Sequence, residues 1–152
     1  MATTVEGHRS ATPVHLWIVG LLATLWNAFG CYDYVMTRMR NTDYLKSMMP
    51  DMDPNAMLAY VDGLPVWAAA GWGLGVWMGL AGSLLLLARS RHAVWTLGLS
   101  AVGAVVGLGY QMMNPMAGLT GFTATGMPII IIAVAIGLWA YARAMARKGA
   151  LA

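Results

Sequence analysis

Residues 66–88 read VWAAAGWGLGVWMGLAGSLLLLA, an apolar stretch without a single charged side chain. A helix that crosses about 30 Å of hydrocarbon needs roughly 20 apolar residues, each of which adds about 1.5 Å. Inside hydrocarbon every backbone N–H and C=O must find its partner within the protein, and a helix satisfies this along one segment. Residues 66–88 therefore predict a transmembrane helix.

The rest of the chain has the same character. It contains 152 residues, of which 59% are hydrophobic and 10% charged, whereas a soluble domain is about 45–50% apolar and about 25% charged. The runs are continuous rather than alternating, which excludes a β-barrel. We predict one all-α integral membrane domain over residues 1–152, in contact with the lipid bilayer. Its four transmembrane helices cover residues 14–36, 66–88, 93–113 and 127–146.

Basic residues are divided unequally between the two sides of the predicted bundle. The side opposite the termini has Arg38, Arg40 and Lys46, which several aspartates offset. The side of the termini has six of the nine basic residues: Arg9, Arg89, Arg91, Arg143, Arg147 and Lys148. The positive-inside rule then predicts that both termini are cytoplasmic, and an even number of spans requires that they share a side.

The predicted outer loop, residues 37–65, has its own local signals. No glycine or proline occurs between Tyr32 and Met49, which predicts that the first helix projects beyond the membrane. Asp53 followed by Pro54 is typical of an N-cap with proline at the first helical position. Gly63 is a typical helix stop. We therefore predict a short helix over residues 54–61.

Glycines recur at helical spacing in the second and third spans. Because lipid provides no hydrophobic drive between helices, small residues that allow close backbone approach indicate a helix contact. Such a contact forms either within the bundle, which we favour, or with another subunit. The predicted packing face consists of Gly71, Gly75, Gly79, Gly82, Gly103 and Gly107.

Polar residues near the end of the first span form the main candidate site. The positions i, i+4, i+7 and i+11 lie on one helical stripe, and they are Asn27, Cys31, Tyr34 and Arg38. Asn27 is interpreted either as an interhelical hydrogen-bonding group or as a substrate or ion contact. Asp33 lies on a different face. It is interpreted either as an interfacial carboxylate near Thr37 and Arg40 or as a proton-coupling or substrate-binding acid.

Methionines form a second candidate site. The stretches MMPDM and MMNPM share the spacing MMxxM, and both fall at the predicted outer face. Thioethers are soft ligands that suit Cu(I), but methionine is also a common filler of apolar cores. The candidate metal ligands are Met48, Met49, Met52, Met112, Met113 and Met116.

Other classes of function lack support in the sequence. The single cysteine, Cys31, excludes an intrachain disulfide and a CxxC motif. The net charge of +3 comes without a basic run, so we expect no nucleic-acid binding. Nothing has the pattern of a Ser-His-Asp set, a paired-carboxylate site or a phosphate loop. We therefore predict neither an enzyme nor a cofactor.

Two stretches, HLWIVGLLATLWNAFGCYDYVMTRMRN and LPVWAAAGWGLGVWMGLAGSLLLLARSRH, resemble a family of small four-helix proteobacterial inner-membrane proteins, often labelled "sugar transporter" or hypothetical membrane protein. Its members share N-x-x-G-x-x-D-Y in the first helix and W-x-x-G-x-W-x-G-x-x-G-S in the second. The resemblance implies a bacterial inner-membrane location. It places these residues at motif positions: Asn27, Gly30, Asp33, Tyr34, Trp72, Gly75, Trp77, Gly79, Gly82 and Ser83.

Three functions remain open on the sequence. The first is a small transporter-like protein that acts as a homo-oligomer, because four short helices barely enclose a solute path. The second is a non-catalytic accessory or assembly subunit bound to other membrane-protein subunits. The third is handling of Cu(I) or Ag(I) by the methionine clusters.

Overall fold

The chain is all-helical over residues 12–152, the part that the computed structural model describes. Four of its helices are long and apolar enough to cross a membrane, which confirms the predicted all-α bundle of four spans. Two short helices lie between the first and second spans, and a π-helical turn, Phe122–Gly126, precedes the last. The α-helices are α1 (Val14–Arg38), α2 (Thr42–Met48), α3 (Pro54–Asp62), α4 (Val66–Leu87), α5 (His92–Met113) and α6 (Met127–Arg147).

The long helices pack in the order α1, α4, α5, α6, so that α4 and α5 are central. The contact between α4 and α5 is the most extensive, because glycines bring the two backbones together. A Cβ atom on Gly103 would lie 2.7 Å from the carbonyl oxygen of Gly71, and one on Gly107 would lie 2.6 Å from the backbone nitrogen of Trp72. No side chain larger than hydrogen fits at either position.

The predicted glycine face is therefore a contact within one chain. Gly75 meets the backbone of Ala104, and Gly82 lies against the side chain of Leu97. Gly79 takes up the side chain of Asn27 from α1. Because α5 and α1 cover this face, it is not available for the contact between protomers that a transporter built as an oligomer would have needed.

The beginning of α1 and the end of α6 lie at the same end of the bundle. Leu16 of α1 and Met145 of α6 belong to one buried apolar cluster with Leu86 and Leu151. The last residues of the chain are held there by backbone hydrogen bonds, because the N–H of Arg91 donates to the carbonyl of Ala152 at 2.8 Å. We call this the terminal end of the bundle and the opposite one the loop end.

The loop end differs from the sequence prediction in one respect. We predicted that the first helix projects beyond the membrane, but α1 ends at Arg38, because Arg40 adopts a positive φ of 58° and turns the chain back. A separate helix, α2, then begins, with the side chain of Asn41 accepting from the N–H of Tyr44 at 3.0 Å. The absence of glycine and proline was a poor guide, since a single left-handed arginine breaks the helix.

The short helix predicted over residues 54–61 is confirmed as α3. The Asp53 carboxylate accepts a 3.0 Å hydrogen bond from the N–H of Asn55, and Pro54 occupies the first turn. Helices α2 and α3 pack together around Leu45, Met57 and Leu58. We call this pair of helices the cap.

Candidate functional site

A cleft of about 460 Å³ lies between α1 and α6. It exists because α1 packs mainly on α4, and α6 mainly on α5. At the terminal end the two outer helices meet, and the His15 imidazole forms a 2.6 Å hydrogen bond with the Tyr141 hydroxyl. Towards the loop end the cleft separates them, with α4 and α5 as its floor and the cap as its roof.

The side opening of the cleft faces the bilayer. Trp26 and Phe29 of α1 line it while remaining 42% and 54% exposed, and both lie in the middle of a membrane span. The opposite wall is aliphatic and comes from Ile131, Val134 and Leu138 of α6. Both walls of the cleft therefore come from candidate membrane spans.

Gly30 widens the cleft on the α1 side. A Cβ atom at this position would meet nothing within 4 Å, unlike the glycines of α4 and α5 that contact a neighbouring helix. Glycine within a helix costs about 1 kcal/mol relative to alanine. No contact within residues 12–152 explains the glycine, and its structural effect is to leave room in the cleft.

Asn27 lies at the deep end of the cleft and joins α1 to α4. Its amide group donates to the Ser83 hydroxyl at 3.0 Å and to the Ala23 carbonyl at 2.8 Å. Ser83 in turn donates to the carbonyl of Gly79 at 2.8 Å. Both N–H groups of the amide thus donate to groups of the same chain. This geometry agrees with the interpretation of Asn27 as an interhelical hydrogen-bonding group.

The rest of the predicted stripe packs against α4. Buried Cys31 lies 3.5 Å from the Val76 carbonyl. The Tyr34 ring contacts that of Trp72 edge-on, with 4.7 Å between centroids. Arg38 is exposed at the helix end. Of the four stripe residues, Asn27 alone lines the cleft, so the stripe is largely a packing seam rather than an open polar path.

Asp33 lies where the cleft meets the cap. Its carboxylate accepts a 2.9 Å hydrogen bond from the hydroxyl of Tyr44 on α2. Its backbone carbonyl accepts a 2.8 Å hydrogen bond from Thr37. Burial raises the pKa of the Tyr44 phenol, and the hydrogen bond to Asp33 and the charge of Asp33 raise it further. Tyr44 is therefore held in its protonated, donating form.

The basic residues near Asp33 are engaged elsewhere. Arg40, expected beside Asp33, instead pairs with Asp62 at 2.9 Å, and this is the single ion pair within residues 12–152. Lys46 donates to the backbone carbonyl of Pro50. Within residues 12–152, no Lys, Arg or His side chain forms an ion pair with the Asp33 carboxylate.

The candidate methionine ligands do not form one cluster. Met49, Met52 and Met116 pack around the apolar core of the cap. Met112 and Met113 lie in a separate surface groove with Trp67, and Met48 is 47% exposed. Residues 12–152 hold no cluster of three or more His, Cys, Asp and Glu side chains that would reinforce a metal site. The thioethers of Met49, Met52 and Met116 serve as cap core.

Several cleft residues lie outside the sequence prediction. Ser100 and Gln111 of α5 line the cleft, as does Thr123 of the π-helical turn. Ser100 donates to the Gly75 carbonyl at 2.6 Å. Ser100 and Gln111 could have been selected from the sequence, because they are polar residues within an apolar span. The partnership of Tyr44 with Asp33 had no sequence signal, because it depends on the turn at Arg40.

No protein-family model, no curated protein and no solved structure matches this chain. The functional argument therefore depends on the geometry of the cleft.

Proposed function

We propose that this chain is a small transporter-like membrane protein that takes an amphipathic small molecule from the bilayer into the cleft between α1 and α6. The observation that carries the proposal is the cleft itself, with apolar walls, an opening towards lipid and one carboxylate at its loop end. A packed four-helix bundle without a ligand has no structural need for such a gap, since membrane helices associate through close contact.

The dimensions and lining of the cleft support a small molecule. Ligand sites are typically about 300–1,000 Å³, mostly apolar, with a few polar groups that orient the ligand. This cleft, at about 460 Å³, has aromatic and aliphatic walls and a small number of polar side chains. Those polar groups are Asn27, Asp33, Ser100, Gln111 and Thr123, together with Thr37 and Tyr60 near the cap.

One chain is sufficient for binding. The walls, floor and roof of the cleft all come from the same protomer, so a site between subunits is not needed. At the terminal end the cleft is closed, since His15 contacts Tyr141 and Leu16 packs near Met145. Transfer across the membrane would require these contacts to separate, which makes the terminal end the gate of the proposed transporter.

Location and orientation follow from the sequence prediction. The terminal end carries the basic residues Arg89, Arg91, Arg143, Arg147 and Lys148. By the positive-inside rule this end is cytoplasmic, and the resemblance of two stretches to a family of proteobacterial inner-membrane proteins favours a bacterial inner membrane. The cap and Asp33 then face outward, so the proposed ligand enters from the bilayer beside the outer leaflet.

An accessory subunit of a larger membrane complex is the second candidate. The observation that favours it is the limited packing of α6, which contacts α5 but leaves Ile129, Ile130 and Ile136 exposed. In that case a partner helix, rather than a small molecule, would cover α6. The two candidates differ in what occupies the cleft of the purified protein.

Photolabelling separates the two candidates. The protein is placed in phosphatidylcholine nanodiscs with a neutral alkyl alcohol that carries a benzophenone, and the labelled peptides are identified by mass spectrometry. The proposal expects labels on the cleft walls, residues 26–37 and 127–138, that excess unlabelled alcohol removes. Labels spread evenly over all lipid-facing helices would contradict it. Stoichiometric recovery of another membrane protein in mild detergent would support the accessory subunit.

A further inference from the structure

We infer that the cleft selects amphiphilic organic cations, whose ammonium-type head binds the Asp33 carboxylate while the apolar body lies along α6. This inference rests on the proposed function, since it names the class of molecule that the cleft takes. It goes further by assigning a charge to the ligand.

The first step is the charge of the lining. Asp33 is the only charged side chain among the described residues that line the cleft, and no Lys, Arg or His accompanies it. The cations of the loop end are occupied or directed away, with Arg40 on Asp62, Lys46 on backbone carbonyls and Arg38 exposed. A cationic ligand supplies the missing opposite charge, whereas an anionic ligand is repelled.

The second step is the state of the carboxylate. An ionised carboxylate offers about four lone-pair sites, and the Tyr44 hydroxyl uses one of them, on Oδ1. The remaining acceptor sites are available to a ligand. Tyr44 does not line the cleft, so it acts as a positioning residue that fixes the carboxylate without covering it. Charge-assisted hydrogen bonds of this kind are stronger than neutral ones.

The third step is the apolar body. From Asp33 the cleft continues to Asn27, which is six residues or about 9 Å along the axis of α1. The facing wall of α6, residues 127–138, extends over about 16 Å. Trp72 on the floor and Val134 on the wall line this stretch, which matches the length of a single apolar chain or a small ring system.

Membrane phospholipids do not meet these requirements. Zwitterionic head groups carry a phosphate beside their ammonium group, and the Asp33 carboxylate repels this phosphate in a cleft that lacks a basic residue. The ligand is therefore a cationic solute that partitions into the bilayer, not a component of the bilayer. Probes that differ only in their head group therefore test whether the cleft binds a cationic solute.

The test uses three probes with the same benzophenone-bearing alkyl body and either a primary ammonium, a hydroxyl or a sulfonate head. Binding to the full chain in phosphatidylcholine nanodiscs is measured by quenching of tryptophan fluorescence, with empty nanodiscs correcting for partition. We expect the ammonium probe to bind about 10- to 100-fold more tightly than the hydroxyl probe, as for a hydrogen-bonded charge. The sulfonate probe should bind most weakly.

Two variants assign this preference to Asp33. Asp33→Asn should reduce the affinity of the ammonium probe to that of the hydroxyl probe and leave the hydroxyl probe unchanged. Asp51→Asn removes the same charge from an exposed loop position and should leave the preference intact. Retention of hydroxyl binding by Asp33→Asn shows that this variant is folded.

The outcomes distinguish the inference from the proposed function. Equal binding of all three probes, with labels on the cleft walls, would overturn the cation preference and leave the proposed function standing. A preference that survives Asp33→Asn would also overturn the inference. Failure of every probe to label the cleft would overturn both.

Discussion

The hydroxyl of Tyr44 donates a 2.9 Å hydrogen bond to the carboxylate of Asp33, and this contact joins the cap to α1 at the loop end of the cleft. The two residues come together because α1 ends at Arg38 and the chain turns back at Arg40. The same contact positions the one charged side chain of the cleft. Removing this hydrogen bond should therefore affect both the order of the cap and the affinity of the cleft for cations.

Tyr44→Phe removes this hydrogen bond and keeps the ring, which packs edge-on against Tyr32 at 5.4 Å. A hydrogen bond to a charged group contributes about 1.5–3 kcal/mol, which corresponds to roughly 10- to 160-fold faster amide hydrogen exchange of α2. Exchange mass spectrometry of Thr42–Met48 measures this. Tyr32→Phe is the matched control, and equal exchange in the two variants would contradict the assigned role of Tyr44.

The phenol of Tyr44 should titrate later than a free tyrosine. Burial, and then the hydrogen bond to Asp33 and its charge, raise the pKa of Tyr44 above its ordinary value. Because the folded pKa is the higher one, the stabilisation is fully present below about pH 10 and is lost as the pH rises through the folded value. Ultraviolet titration of tyrosinate measures the pKa of Tyr44, which is read from the difference between the curves of wild type and Tyr44→Phe. A difference curve with its midpoint at or below the ordinary pKa of tyrosine would contradict the contact between Tyr44 and Asp33.

The glycines of α5 should respond differently to the same substitution. In Gly103→Ala the new methyl group meets the backbone of α4, whereas in Gly109→Ala it meets nothing within 4 Å. We expect Gly103→Ala to destabilise the bundle by about 1–3 kcal/mol through overpacking, and Gly109→Ala to be neutral or stabilising. Heat-induced thiol labelling of Cys31, which is 6% exposed, reports unfolding. Identical melting curves would show that α4 and α5 are not in backbone contact.

Asn27 and Ser83 should be energetically coupled. Their side chains share a 3.0 Å hydrogen bond between α1 and α4. Interhelical hydrogen bonds of this kind contribute about 0.6 kcal/mol on average, with a maximum of about 1.7. A double-mutant cycle of Asn27→Ala and Ser83→Ala, read by the Cys31 assay, should yield a coupling in that range. Strictly additive effects would mean that Ser83 of α4 does not hold Asn27. The Asn27 amide would then be free to contact a ligand.

The parts of the fold that depend on local pattern were predictable from the sequence. Residues 66–88 predict α4 because an uncharged run of that length has few alternatives in hydrocarbon. The spacing of Gly103 and Gly107 predicts a close helix contact, although pattern alone did not say that α4 of the same chain makes it. The helix N-cap at Asp53 was predictable for the same reason, since the cap and its partner Asn55 are neighbours in sequence.

The candidate site was harder to predict from the sequence, because it is a gap between two helices. The spacing of Asn27, Cys31 and Tyr34 indicates a shared face, and that face packs on α4. The gap between α1 and α6 follows from tertiary packing and has no periodicity of its own. Asp33 was identified as a candidate acid, but its partner Tyr44 required the left-handed turn at Arg40.

Gly30 provides the most direct test of the proposed function. Gly30→Leu adds a side chain to the cleft at a position where the Cβ atom meets nothing within 4 Å, whereas Gly137→Leu adds the same side chain to α6 at an exposed position that does not line the cleft. Affinity for the neutral benzophenone alcohol is measured for both variants in phosphatidylcholine nanodiscs. We expect Gly30→Leu to weaken binding at least about tenfold, which corresponds to about 1.4 kcal/mol, and Gly137→Leu to bind as wild type. Equal affinity of the two variants would contradict the cleft as the binding site.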